Sequence, residues 1–280
     1  MIMKKIFILI FIFLSLILPL TLKAAACNTN PSGAITNTSG TCTSTPDTYI
    51  IHIYKSGLCN GIDPSSATIP NLNSQCVTTF DSGASPLSVT VQNGISSPLT
   101  SGTITKPPNG TYTHGFVLIR KDIDMKAIKT LANTVNGSSS GSSGSTCWTE
   151  SGIASSGNLT KCGTSASAVG FTTSLVNNLA GSGNCPSGTP AFHCTYEEAP
   201  YDVTYAYLVT SSNSLATSDS DVANLLGFAT FSSPITVSDS STAQIIQFRV
   251  TQGVTLNFSN AEPPTLNMYS AAFKTITGIE

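Results

Sequence analysis

The chain has 280 residues, only 9% of them charged, with 12 Lys+Arg against 14 Asp+Glu for a formal net charge of −2. So few cations, two of them arginines (Arg120 and Arg249), cannot neutralise a run of phosphates, which sets nucleic acid aside as a partner. A hydrophobic content of 40% argues against a disordered chain, and the length suits one large domain or two small ones.

The first residues carry a basic start (Lys4, Lys5), an apolar run from Ile6 to Leu22, then Lys23 and the small-residue triplet Ala24-Ala25-Ala26 before Cys27. This is the tripartite pattern of a secretory signal peptide over residues 1–26, with the cut expected after Ala26. An uncleaved anchor is the alternative, since the run approaches the length of a short span, but Pro19 and the alanines favour cleavage. Lipidation of Cys27 is a second alternative. Ala24 stands where bacterial lipoproteins usually carry Leu, and eight cysteines pair fully only if Cys27 keeps its thiol. Three of the cations lie in the leader and no acidic residue does, so the remainder is more acidic than the whole. The product is expected to be secreted, periplasmic or on the cell surface, touching membrane only through the leader or a lipidated Cys27.

Residues 27–46 are rich in Asn, Thr, Ser and Gly and read as a flexible N-terminal arm. Thr48–Tyr54 then reads as a strand, followed by short strands near 76–80, 86–92 and 102–105, separated by Pro- and Gly-containing turns. From Thr111 to Leu131 apolar residues of one parity (Val117, Ile119, Ile123, Met125, Ala127) favour strands bent near Lys121-Asp122 over the alternative of a helix with Ile123, Ala127 and Leu131 on one face. The stretch 136–146, NGSSSGSSGST, reads as an exposed loop or linker, and 166–179 as strand or helix. Residues 201–210 alternate as a strand. Ser218-Asp219 can cap a short helix running to Leu226, 245–251 and 254–259 suit a hairpin through Gln252-Gly253, and 268–276 suits a last strand.

Many short strands, frequent turns and abundant Thr predict an all-β fold, an antiparallel β-sandwich or jelly roll with long disulfide-pinned loops and little helix. The domain is expected over 47–280, or as two domains split near 136–146. Neighbouring cysteines suggest sequential pairing: Cys27 with Cys42, Cys59 with Cys76, Cys147 with Cys162, Cys185 with Cys194. The other connectivities of eight cysteines stay open, and each bridge is worth roughly 2–4 kcal/mol.

No catalytic set assembles from the letters. Gly137-Ser138-Ser139-Ser140-Gly141 matches G-x-S-x-G, but within a run of serines and glycines and without the strand-to-helix turn that the motif needs. His52 and His114 read as strand residues. His193 beside Cys194 could suggest metal, but oxidised cysteines make poor ligands, so no metal or cofactor is expected. Glu197, Glu198 and Asp202, with Tyr201 beside them, are the candidate ligand contacts, since paired carboxylates and an aromatic suit a glycan. Asp219 and Asp221 form a second acidic pair, and Trp148 is expected to pack over the disulfide of Cys147. The expected function is that of a non-enzymatic structural or adhesive surface protein, a fibre, envelope or binding module. Its partners would be itself, other surface proteins or glycans. A secreted carbohydrate-binding or carbohydrate-cleaving protein is one alternative, and a subunit polymerising by β-strand addition is another.

Overall fold

The fold follows from one long strand and what pairs with it. The computed structural model describes residues 25–91, 99, 101–139, 141–153, 159–177, 179, 192–196, 204–241, 244–271 and 274–279. The first sheet has the order β1 (Gly40–Ser44), β17 (Val254–Phe258), β18 (Thr265–Ser270), β8 (Ile128–Gly137), β9 (Ser143–Thr149), β11 (Thr160–Gly163). The second runs β10 (Gly152–Ile153), β12 (Thr172–Leu175), β7 (Asp122–Lys126), β2 (Thr48–Cys59), β6 (Gly110–Arg120), β15 (Asn224–Val237), β14 (Thr204–Val209), β13 (His193–Tyr196). Three further strands join it: β3 (Cys76–Asp81) and β4 (Leu87–Val91) on β2, and β5 (Thr103–Ile104) on β3. A separate ribbon pairs β16 (Gln244–Arg249) with β19 (Lys274–Ile279), and α1 (Leu72–Gln75) is a single turn. The chain is thus an all-β, sandwich-like protein, as its composition predicts.

Strand β2 is the hub. Its first half lies between β4 and β7, and its second half between β3 and β6. Alternation sends Tyr49, Ile51 and Ile53 inward, where they meet Val117, Ile119, Ile123 and Met125 of the same sheet and Leu131, Val135, Leu256, Leu266 and Met268 of the other. The opposite face of β6 is also covered: Phe116 and Leu118 join Tyr207, Leu226, Phe228 and Ile62 in a second cluster beneath the loop after Cys59. Ala206 and Leu208, on the other side of β14, enter a third with Val222 and Ala216. Burial on both faces explains why β14 and β6 read as nearly continuous apolar runs. Close approach fixes Gly57 on β2, where a Cβ would lie 2.1 Å from the Val77 carbonyl oxygen.

Disulfides join Cys27 to Cys42, Cys59 to Cys76 and Cys147 to Cys162. Two of them link directly opposed residues of antiparallel neighbours, β2 with β3 and β9 with β11. Cys194 is also disulfide-bonded, and Cys185 lies outside the described residues. Three described disulfides mark an oxidising compartment. Among the described residues no helix is long and apolar enough to cross a membrane.

Several elements differ from expectation. The helix expected over 218–226 is a turn at Ser218–Asp221 followed by β15, because Leu226 and Phe228 bury in the sheet. The hairpin expected through Gln252-Gly253 does not form. Instead, β17 pairs with β1 and β18, and β16 with β19. The last strand is two, β18 and β19. The Ser/Gly-rich stretch is split: Asn136 and Gly137 end β8, Ser143 opens β9, and the residues between turn one into the other. Residues 27–39 dock onto the sandwich, with Ile35 donating its N–H to the Thr130 carbonyl and accepting from Ala132.

Candidate functional site

Two histidine-centred networks stand out among the described side chains. The first lies on the face of the second sheet opposite the sandwich core. Because Ile51 and Ile53 point inward, His52 between them points outward. Register places Ser88 of β4 directly opposite His52 and Asp124 of β7 opposite Ile50, diagonal to His52. His52 Nδ1 lies 2.9 Å from Ser88 Oγ, and its Nε2 lies 3.1 Å from Asp124 Oδ2. On the next strand, Thr173 Oγ1 donates to Asp124 Oδ1 at 2.5 Å. The row Ser88–His52–Asp124–Thr173 thus crosses β4, β2, β7 and β12. His52 is 6% exposed, whereas Ser88 is exposed to solvent.

Hydrogen-bond chemistry fixes the proton arrangement. An ionised carboxylate only accepts, so His52 Nε2 carries the hydrogen directed at Asp124. In the neutral ring Nδ1 is then a lone pair, and the Ser88 hydroxyl donates to it. Such an arrangement can take a proton from Ser88 and hold the resulting imidazolium against Asp124.

The second network underlies the loop closed by the Cys59–Cys76 disulfide. Tyr207 Oη donates to the carbonyl oxygens of Pro64 (2.5 Å) and Ser66 (2.8 Å), and His193 Nε2 lies 3.3 Å from the same Pro64 oxygen. The His193 and Tyr207 rings stack with centroids 4.4 Å apart. Among the described residues, His193 Nδ1 is buried without a hydrogen-bond partner. Burial pushes His193 and His114 below the usual histidine range, although Asp63 pulls His114 back upward. Asp63 itself is held low by the hydroxyl and N–H of Ser65. Burial keeps Tyr207 protonated and able to donate. This network anchors a loop.

The expected ligand contacts Glu197, Glu198, Tyr201 and Asp202 lie outside the described residues. Asp219 and Asp221 sit in an exposed turn, where Asp221 accepts from Thr217 at 3.0 Å. Ser139, the centre of the G-x-S-x-G match, is buried and donates to Glu150 at 2.5 Å in the turn between β8 and β9, with no helix following. Glu150 in turn pairs with Lys161 at 2.6 Å. Among the described residues no group of three His, Cys, Asp or Glu side chains could hold a metal. Trp148 does not cover the Cys147–Cys162 bridge. Both cysteines point into the core, and strand alternation turns Trp148 to the other face, against Gly163.

The set built on His52 has no local sequence signal beyond the histidine's parity on an otherwise Ile- and Tyr-rich strand. Its members span residues 52 to 173, and only the pairing of four strands brings them together. No family model matches the chain, and no curated protein or solved structure is significantly similar to it.

Proposed function

We propose that the chain is an exported structural or adhesive protein of the cell surface. The observation that carries this reading is the stitching of an all-β sandwich by disulfides that span only 15 to 17 residues each. Such bridges hold strand pairs and loops locally against solvent and proteases in an oxidising space, where a charge-poor, hydroxyl-rich surface stays soluble. The leader supplies the route, with cleavage after Ala26. The Cys27–Cys42 bridge supports a thiol kept for pairing over one carrying a lipid.

Polymerisation by donation of the N-terminal arm is less well supported, because Ile35 and β1 are already docked in the first sheet. The glycan reading rests on residues outside the described set.

The test uses the exported protein. Sedimentation velocity and binding to cells and a glycan array should show self-assembly or a surface ligand, and a mature mass should begin at Cys27. A protein that stays monomeric and binds neither cells nor glycans ends the adhesive reading.

A further inference from the structure

We propose that Ser88 is a nucleophile for acyl transfer from unhindered carboxylic esters, with His52 as its general base and Asp124 orienting the base. This inference is independent of the surface role above. Three observations carry it. The Ser88 hydroxyl, 2.9 Å from His52 Nδ1, faces a ring whose other nitrogen is committed to a carboxylate. Asp124 is itself held by Thr173, so the ring has one tautomer and one orientation. The base is buried while Ser88 is an exposed residue, which places the serine at the surface and the base beneath it.

A structural polar ladder would need only matched donors and acceptors. It would not need a histidine facing a carboxylate on one side and an exposed serine on the other. The order of ring atoms is reversed from the usual serine-hydrolase set, in which Nε2 faces the serine. Proton transfer requires only the lone pair, and here Nδ1 provides it. Among the described residues β4 pairs on one side only, with β2. The exposed position of Ser88 suits small or flexible acyl donors.

In the reaction Ser88 Oγ bonds to the ester carbonyl carbon as its proton moves to His52 Nδ1. The carbon–oxygen bond to the alcohol then breaks, and His52 returns the proton to the leaving alkoxide. Water attacks the acyl-serine, passing a proton to His52. Collapse releases the carboxylic acid and restores Ser88 with that proton. Atoms and electrons balance without a further reagent.

The exported, disulfide-bonded protein should be treated with a fluorophosphonate and, separately, with p-nitrophenyl acetate. A single covalent adduct on the Ser88 peptide is expected, absent in Ser88→Ala and formed about 10²-fold or more slowly in His52→Gln. Labelling at Ser88 no faster than at the exposed Ser211 would overturn the proposal, as would labelling indifferent to His52→Gln. Should His52→Gln alter folding, the wild-type pH profile decides. A rate that rises with one deprotonation and then levels supports a histidine base, and a rate proportional to hydroxide throughout refutes it.

Discussion

At the scale of residues, His193 shows what burial of a titratable ring does to this protein. Its Nε2 hydrogen goes to the Pro64 carbonyl, which leaves Nδ1 as a buried lone pair without a partner among the described residues. Protonation would place a second N–H, and a charge, where no described group accepts them. Its pKa is accordingly depressed in the folded state by desolvation, as is that of His114. An unfolded histidine titrates near ~6.5. Between that value and the lower folded values the unfolded chain binds more protons, so stability falls as pH falls through this window. The melting temperature should therefore drop between about pH 7 and pH 5, before carboxylates such as Asp63 and Asp81, themselves held low, begin to take up protons. His193→Phe keeps the stack on Tyr207 and removes the titration, so its melting temperature should change less over the same interval. An unchanged slope in that variant would show that His193 does not carry the effect.

At the scale of elements, the disulfides explain how loops without regular structure become part of the core. The Cys59–Cys76 bridge closes a loop whose Ile62 enters the Phe116–Phe228 cluster and whose Pro64 and Ser66 carbonyls are held by Tyr207. Replacing both cysteines by alanine frees a segment of 17 residues and should cost about 3 kcal/mol. Hydrogen exchange should show the loss first in residues 60–75, then in β14 beneath them. If β1 or β8 exchanges first, the bridge is not what holds this loop.

Legibility in the sequence divides at the same scale. The strands around Tyr49–Ile53 and Val117–Met125, with the bend at Lys121, are visible because alternation is local and each side chain reports its own face. The capping signal of Ser218-Asp219 misleads because the apolar run after it is claimed by a sheet. The Gln252-Gly253 turn suits a hairpin locally, yet Val254–Phe258 finds its partners in β1 and β18. Pairing across more than 200 residues, as between β17 and β1, leaves no local trace, and neither does the Ser88–His52–Asp124 row, whose contacts join residues 36 and 72 positions apart.

At the scale of the whole molecule, strands from both halves of the chain are interleaved in both sheets. In the first sheet, β17 and β18 from the C-terminal part stand between β1 and β8 from the N-terminal part. In the second, β2 and β6 lie between β7 and β15, with β12 and β14 beyond them. The stretch 136–146 therefore joins β8 to its sheet neighbour β9, and the main core draws on residues from both sides of it, while the smaller cluster around Ala206, Leu208, Ala216 and Val222 lies wholly after it. Leu256, Leu266 and Met268 pack in the same cluster as Tyr49 and Ile51. A chain ending after Val250 would lose β17, β18 and β19, leaving β1 and β8 with exposed edges and the inner face of β2 open to water. Such a truncation should fail to fold, and separate expression of 27–140 and 141–280 should fail likewise. The intact protein should unfold in urea as one transition, with the fluorescence of Trp148, the single tryptophan, coinciding with far-ultraviolet circular dichroism. Trp148 reports on the first sheet through β9, whereas dichroism reports on both. Two separated transitions, or a folded fragment from either half, would show that the interleaved sheets do not make one cooperative unit.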